Sequence, residues 1–101
     1  MISCHVRYII DPYRIDAFER YSRAWIPLVC RTGGPHHGYF LPAEGANNVA
    51  YCFFSFSSLT DYERYRQEAA VDPECMRLVE EASKLKFMVS HGRRFLRPLL
   101  A

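Results

Sequence analysis

The residues with the most chemical reach in this chain are four histidines, His5, His36, His37 and His91, set among arginines and tyrosines. His5 and Arg7 stand two positions apart, the spacing that puts both side chains on one face of a strand. Histidine exchanges protons near neutral pH, which suits it to general acid–base work. A neighbouring arginine can hold a carboxylate through two parallel hydrogen bonds. Such a pair would bind and deprotonate a small acidic or phenolic substrate, so His5 and Arg7 are the candidate catalytic residues. His37, Tyr39, Tyr51 and His91 are the candidates to line the same site. The same pair would serve equally as a hydrogen-bonded polar patch between two copies of the chain.

The stretch GGPHHGYF, residues 33–40, gives a weaker signal. Adjacent residues on a regular strand point to opposite faces, so His36 and His37 do not close on one metal. Alternation would set His37 with Tyr39 and Leu41, and His36 with Gly38 and Phe40. No metal and no cofactor is expected. A haem would need an axial ligand, and nothing selects one among the four histidines. Cys4, Cys30, Cys52 and Cys75 include no C-x-x-C pair and accompany no export signal, so they read as free, mostly buried thiols. Glu80 and Glu81 are helix neighbours that point apart. The TGGP segment lacks the lysine and the spacing of a phosphate loop, and no serine sits in a nucleophile elbow.

The elements that position these groups follow from periodicity. The first strand, Ile2 to Ile10, carries Ile2, Cys4, Val6, Tyr8 and Ile10 on an apolar face, with Ser3, His5, Arg7 and Ile9 on the other. Asp11 and Pro12 open a helix as N-cap and first residue. Its apolar positions Ile15, Phe18, Tyr21, Trp25, Leu28 and Val29 recur at steps of three and four. Pro27 should bend or interrupt it, and TGGP should end it with a glycine cap. A second strand is expected from about His37 to Ala43 and a third from Val49 to Phe56, joined across EGANN as a hairpin. Thr60 and Glu63 have the spacing of a capping box for a second helix, which breaks and restarts at Asp72 and Pro73. Phe87 to Leu96 supplies the last strand.

The order β-α-β-β-α-β, with right-handed crossovers, folds into a four-stranded antiparallel sheet with the helices on one face. This is the ferredoxin-like arrangement, of α+β class, occupying residues 1–101 as a single domain. It leaves one sheet face bare, and covering that face with a second copy predicts a homodimer. The net charge is +2 and the 13 Lys and Arg residues are dispersed. Only Arg93, Arg94 and Arg97 cluster, which reads as a solvated strand edge rather than a nucleic-acid surface. No apolar run approaches the ~20 residues that span a bilayer. The N-terminus lacks the basic region of a signal peptide, so no membrane association and a cytoplasmic location are expected.

Taken in order, several short stretches resemble the NIPSNAP family. They are the first strand with His5 and Tyr8, Pro12 and Phe18 in the helix opening, GYF at 38–40, and GANN at 45–48. FSFSSLTDYERYR at 54–66, DPE at 72–74 and LRPL at 96–99 complete the set. The family's first strand often carries an acidic residue where Cys4 stands here. The resemblance implies a dimeric α+β barrel, two ferredoxin-like subunits packed sheet to sheet, with a cavity inside the barrel or between helices and sheet. That wider class includes small monooxygenases, haem-degrading enzymes, isomerases and decarboxylating enzymes. The expectation is a homodimer binding a small aromatic or acidic ligand in the barrel, as a cofactor-independent oxygenase or isomerase. The alternative is a non-catalytic interaction module whose barrel is filled by side chains.

Overall fold

The computed structural model describes residues 1–31 and 34–99. Strand β1 runs Ile2–Ile10, and a 3₁₀ turn at Pro12–Arg14 leads into helix α1, Ile15–Arg31. Strands β2, His36–Phe40, and β3, Val49–Phe56, follow. Helices α2, Leu59–Val71, and α3, Pro73–Leu85, precede the last strand β4, Met88–Leu96. The sheet order is β2-β3-β1-β4 with every pairing antiparallel. This matches the arrangement expected from the strand and helix order, with β1 central between β3 and β4.

The apolar alternation of β1 decides which face meets the helices. Cys4, Val6, Tyr8 and Ile10 are buried, as are their β3 partners Phe54, Cys52 and Ala50. Phe18, Trp25, Leu28 and Val29 of α1 pack on them, with Tyr62, Tyr65, Cys75 and Leu78 of α2 and α3. The free thiols Cys4, Cys52 and Cys75 are buried and Cys30 is exposed.

Local signals differ from expectation at three places. Helix α1 continues through Pro27 to Arg31 without a break. The cap expected from TGGP falls on Thr32 and Gly33, outside the described residues. Helix α2 is capped by Ser58, whose hydroxyl accepts from the Asp61 amide at 3.2 Å, rather than by Thr60. A hydroxyl caps only from the extended residue just outside the helix, and Thr60 already lies within the first turn. Strand β2 ends at Phe40, three residues before Ala43. Asp72 caps α3 as expected, and Arg31 at the end of α1 clasps it at 2.8 Å. Among the described residues, no helix is long and apolar enough to cross a membrane.

Candidate functional site

The sequence candidates divide between the two faces of the sheet. On the outer face, away from the helices, His5 stacks on Tyr51 and Phe53 with ring centroids 5.4 and 4.7 Å apart. Arg7 pairs in register with Tyr51 and Gly92 and is exposed. His37 joins this face through Ser55, with Nε2 and Oγ 2.7 Å apart, and Ser55 meets the Ser3 hydroxyl at 2.7 Å. Desolvation, followed by the nearby Arg94 charge, lowers the His5 pKa. Its Nδ1 is buried without a hydrogen-bond partner. His5, Arg7, Tyr51 and His37 therefore share one surface, as expected.

His91 and Tyr39 do not join them. His91 pairs with Tyr8, and Tyr39 pairs with Cys52, both on the helix face. The expected approach of His91 to His5 is corrected here. Tyr8 and His5 are an odd number of residues apart on one strand, so anything opposite Tyr8 lies behind the sheet from His5. An irregularity between Ile9 and Ile10 sets this β4 register.

His36 and His37 point to opposite faces as expected, but the pairing of His37 with Tyr39 and of His36 with Phe40 is overturned. The β2–β3 register shifts between His36 and Gly38, and Gly38 adopts φ +106°. Glycine holds such a conformation without steric cost, and the resulting bulge restarts the alternation. His36 consequently lies on the same face as Tyr39, stacked on it at 5.0 Å and on Phe54 at 5.7 Å. Its Nδ1 accepts from the Gly38 amide at 2.9 Å, so the neutral ring carries its proton on a buried Nε2 with no partner. Burial, aided by the charge of His37, pushes the His36 pKa down to about 4.

Behind the sheet lies a half-open cavity of about 820 Å³, lined by residues of all four strands and all three helices. Tyr8 and Tyr39 line it from the sheet and Trp25 from α1. Arg66 enters from α2, and His91 and Arg93 from β4. The Tyr8 hydroxyl lies 3.6 Å from the Cys52 thiol. Burial pushes the pKa of both tyrosine hydroxyls far up and that of the Cys52 thiol to about 11. At neutral pH these groups are protonated, so they offer hydrogen bonds rather than act as bases. His91 is the histidine of this cavity, its ring 6.2 Å from that of Tyr8. Among the described residues, no carboxylate lines the space. Among the described residues, no group of three His, Cys, Asp or Glu side chains is placed to hold a metal.

Arg66, Arg93 and Trp25 were not among the sequence candidates. The alternation of His91, Arg93 and Phe95 along the last strand was a usable signal. It could be aimed only once the β4 register was known.

An antiparallel four-stranded sheet in this order, with helices on one face and a cavity between, defines the ferredoxin-like subunit of the α+β barrel class. The chain belongs to the NIPSNAP family, whose model matches residues 5–100. It is similar to the crystal structure of a NIPSNAP family protein from Agrobacterium tumefaciens, with TM-score 0.84 and 21% identity over 97% of this chain and 92% of that one. A NIPSNAP domain protein from Burkholderia xenovorans superposes with TM-score 0.82 at 14% identity, covering 98% and 95% of the two chains. A Nitrosomonas europaea protein provisionally named an antibiotic biosynthesis monooxygenase superposes with TM-score 0.76 at 11% identity, over 99% and 100%. At these identities the likeness is one of fold. No curated protein matches the chain.

Proposed function

We propose that this NIPSNAP protein binds a small aromatic or acidic ligand in the cavity between sheet and helices, as a homodimer joined through the outer sheet face. The cavity carries the reading. At about 820 Å³ it falls within the size range of small-molecule sites, and its walls are aromatic with a few polar groups. The interaction-module alternative expects a filled interior, and a space of this size weighs against it.

The dimer rests on the outer face. Phe40 is 54% exposed and Leu96 45% exposed, beside half-buried Tyr51, Phe53 and Ile9. Exposed apolar side chains gathered on one sheet face mark an interaction surface. His5 and Arg7 would then lie in the subunit interface rather than in the ligand site. A cofactor-independent oxygenase or isomerase is the enzymatic form of the proposal, with His91 as the group that takes the substrate's proton. The provisional name of the Nitrosomonas europaea protein supports that form by analogy of fold alone.

Native mass spectrometry of the freshly purified, untagged protein tests both parts. The expected species is twice the 11.8 kDa chain carrying a reproducible small adduct. A monomer would overturn the dimer. A dimer that never carries an adduct, and takes up no aromatic acid when offered one, would favour the interaction module.

A further inference from the structure

The charge lining the cavity is one-sided. Two arginines, Arg66 and Arg93, line it, and among the described residues neither Asp nor Glu does. Two acids of the flanking helices are occupied elsewhere: Asp61 pairs with Arg64 at 3.3 Å and Glu80 with Lys84 at 3.1 Å. Arg66 is tied to its own helix, donating to the Tyr62 hydroxyl at 2.9 Å with its guanidinium over that ring.

Arg93 differs. It pairs with Val6 across β1–β4, which directs its side chain over the buried face. Its positive charge is felt by Cys4, Tyr21, Cys52 and Tyr65, lowering each pKa against the burial that raises it. It lies beside the Cys4 thiol and has no carboxylate partner among the described residues. Arg93 stands exposed at the mouth of the tyrosine-lined recess, so its guanidinium reaches the space from the solvent side and carries no counter-charge there.

Resting on the ligand-binding reading above, we infer that the cavity selects an aromatic monocarboxylate, its carboxylate held by the Arg93 fork and its ring lying along Tyr8, Tyr39 and Trp25. The planar, five-donor guanidinium matches a planar carboxylate through two parallel bonds. The protonated Tyr8 and Tyr39 hydroxyls donate rather than repel. A single anionic head supplies the counter-charge that Arg93 lacks, while the aromatic walls supply the apolar contact.

The test compares an acid with its uncharged isostere. Isothermal titration of the full-length protein uses 2-naphthoate and phenylacetate against 2-naphthamide and phenylacetamide. Trp25, the only tryptophan in the chain, gives an independent fluorescence signal from the cavity wall. The acids should bind roughly ten- to hundredfold tighter than the amides, the effect of a charge-assisted bidentate contact. Arg93→Met should abolish that preference and leave amide affinity within about twofold, while Arg93→Lys should keep part of it. Arg93 sits exposed on an edge strand, so these variants should fold, and far-ultraviolet circular dichroism checks that they do. Equal affinity for acid and amide, or a preference that survives Arg93→Met, overturns the anion assignment and leaves the cavity reading standing. Binding of none of the four probes overturns the cavity reading and this inference with it.

Discussion

The two faces of one sheet carry nearly the same residue types and put them to different use. Toward the helices, His36, Tyr39, Tyr8 and His91 lie within stacking distance of one another, over a buried core and beside an internal space. Away from them, His5, Tyr51, Phe53 and Phe40 form a similar aromatic row on the face opposite the described helices. A histidine therefore says little by its identity. What decides its role is whether the layer above it is this chain's own helices or another molecule. Helices bridge two strand ends and leave gaps over an edge strand such as β4.

The largest test of this contrast removes the helix face's anchor. Phe18 is fully buried and packs edge-on against Tyr8, Tyr39 and Phe87. Phe18→Ala should cost about 3–5 kcal/mol in urea denaturation, a large fraction of the stability of a small domain. Loss of less than about 1 kcal/mol would mean that the core does not lie there. The matching change on the outer face is Phe53→Asp. It should leave the subunit folded while weakening self-association by roughly 2–4 kcal/mol, the scale of an interface hot spot. Sedimentation velocity would then show the single-chain mass at concentrations where the unaltered protein is paired. An unchanged dimer would move the interface to another surface.

A smaller effect separates the two histidines of β2. The folded pKa of His36 lies near 4, below the unfolded value near 6.5. The unfolded chain therefore binds more protons between those values. The contribution is fully present above pH 6.5 and is lost as pH falls toward 4. For a half-buried ring, allowing for solvent screening, this amounts to about 1–2 kcal/mol. His36→Asn, whose amide oxygen can still accept from Gly38, should flatten that part of the stability–pH curve. A slope that persists unchanged would assign the titration to another group.

The alternation of Ile2 to Ile10 was enough to say which side of β1 meets the helices, because a period of two admits only two choices and one is apolar. The turn and cap residues placed most helix and strand boundaries within a few residues, since each acts on its own backbone. Thr60 misled because Ser58 offers the same hydroxyl two residues earlier. Only which of the two stands in the extended conformation outside the helix separates them. The candidate site was legible in part: His5, Arg7, Tyr51 and His37 do share a face. His91 and Tyr39 were assigned to the wrong one.

Composition, periodicity and local turn chemistry were properties of the sequence alone, and they determined the element order, the sheet topology and the buried face of the central strand. Those signals are short-range: each depends on residues within a turn of helix or a few strand positions. The tertiary structure decided the rest. The Gly38 bulge turned His36 inward and the β4 register turned His91 and Arg93 toward the helices. A one-residue slip in pairing moves every later side chain to the opposite face. Registers are set by contacts between segments tens of residues apart, so the address of each cavity residue was written in the packing and not in its neighbours.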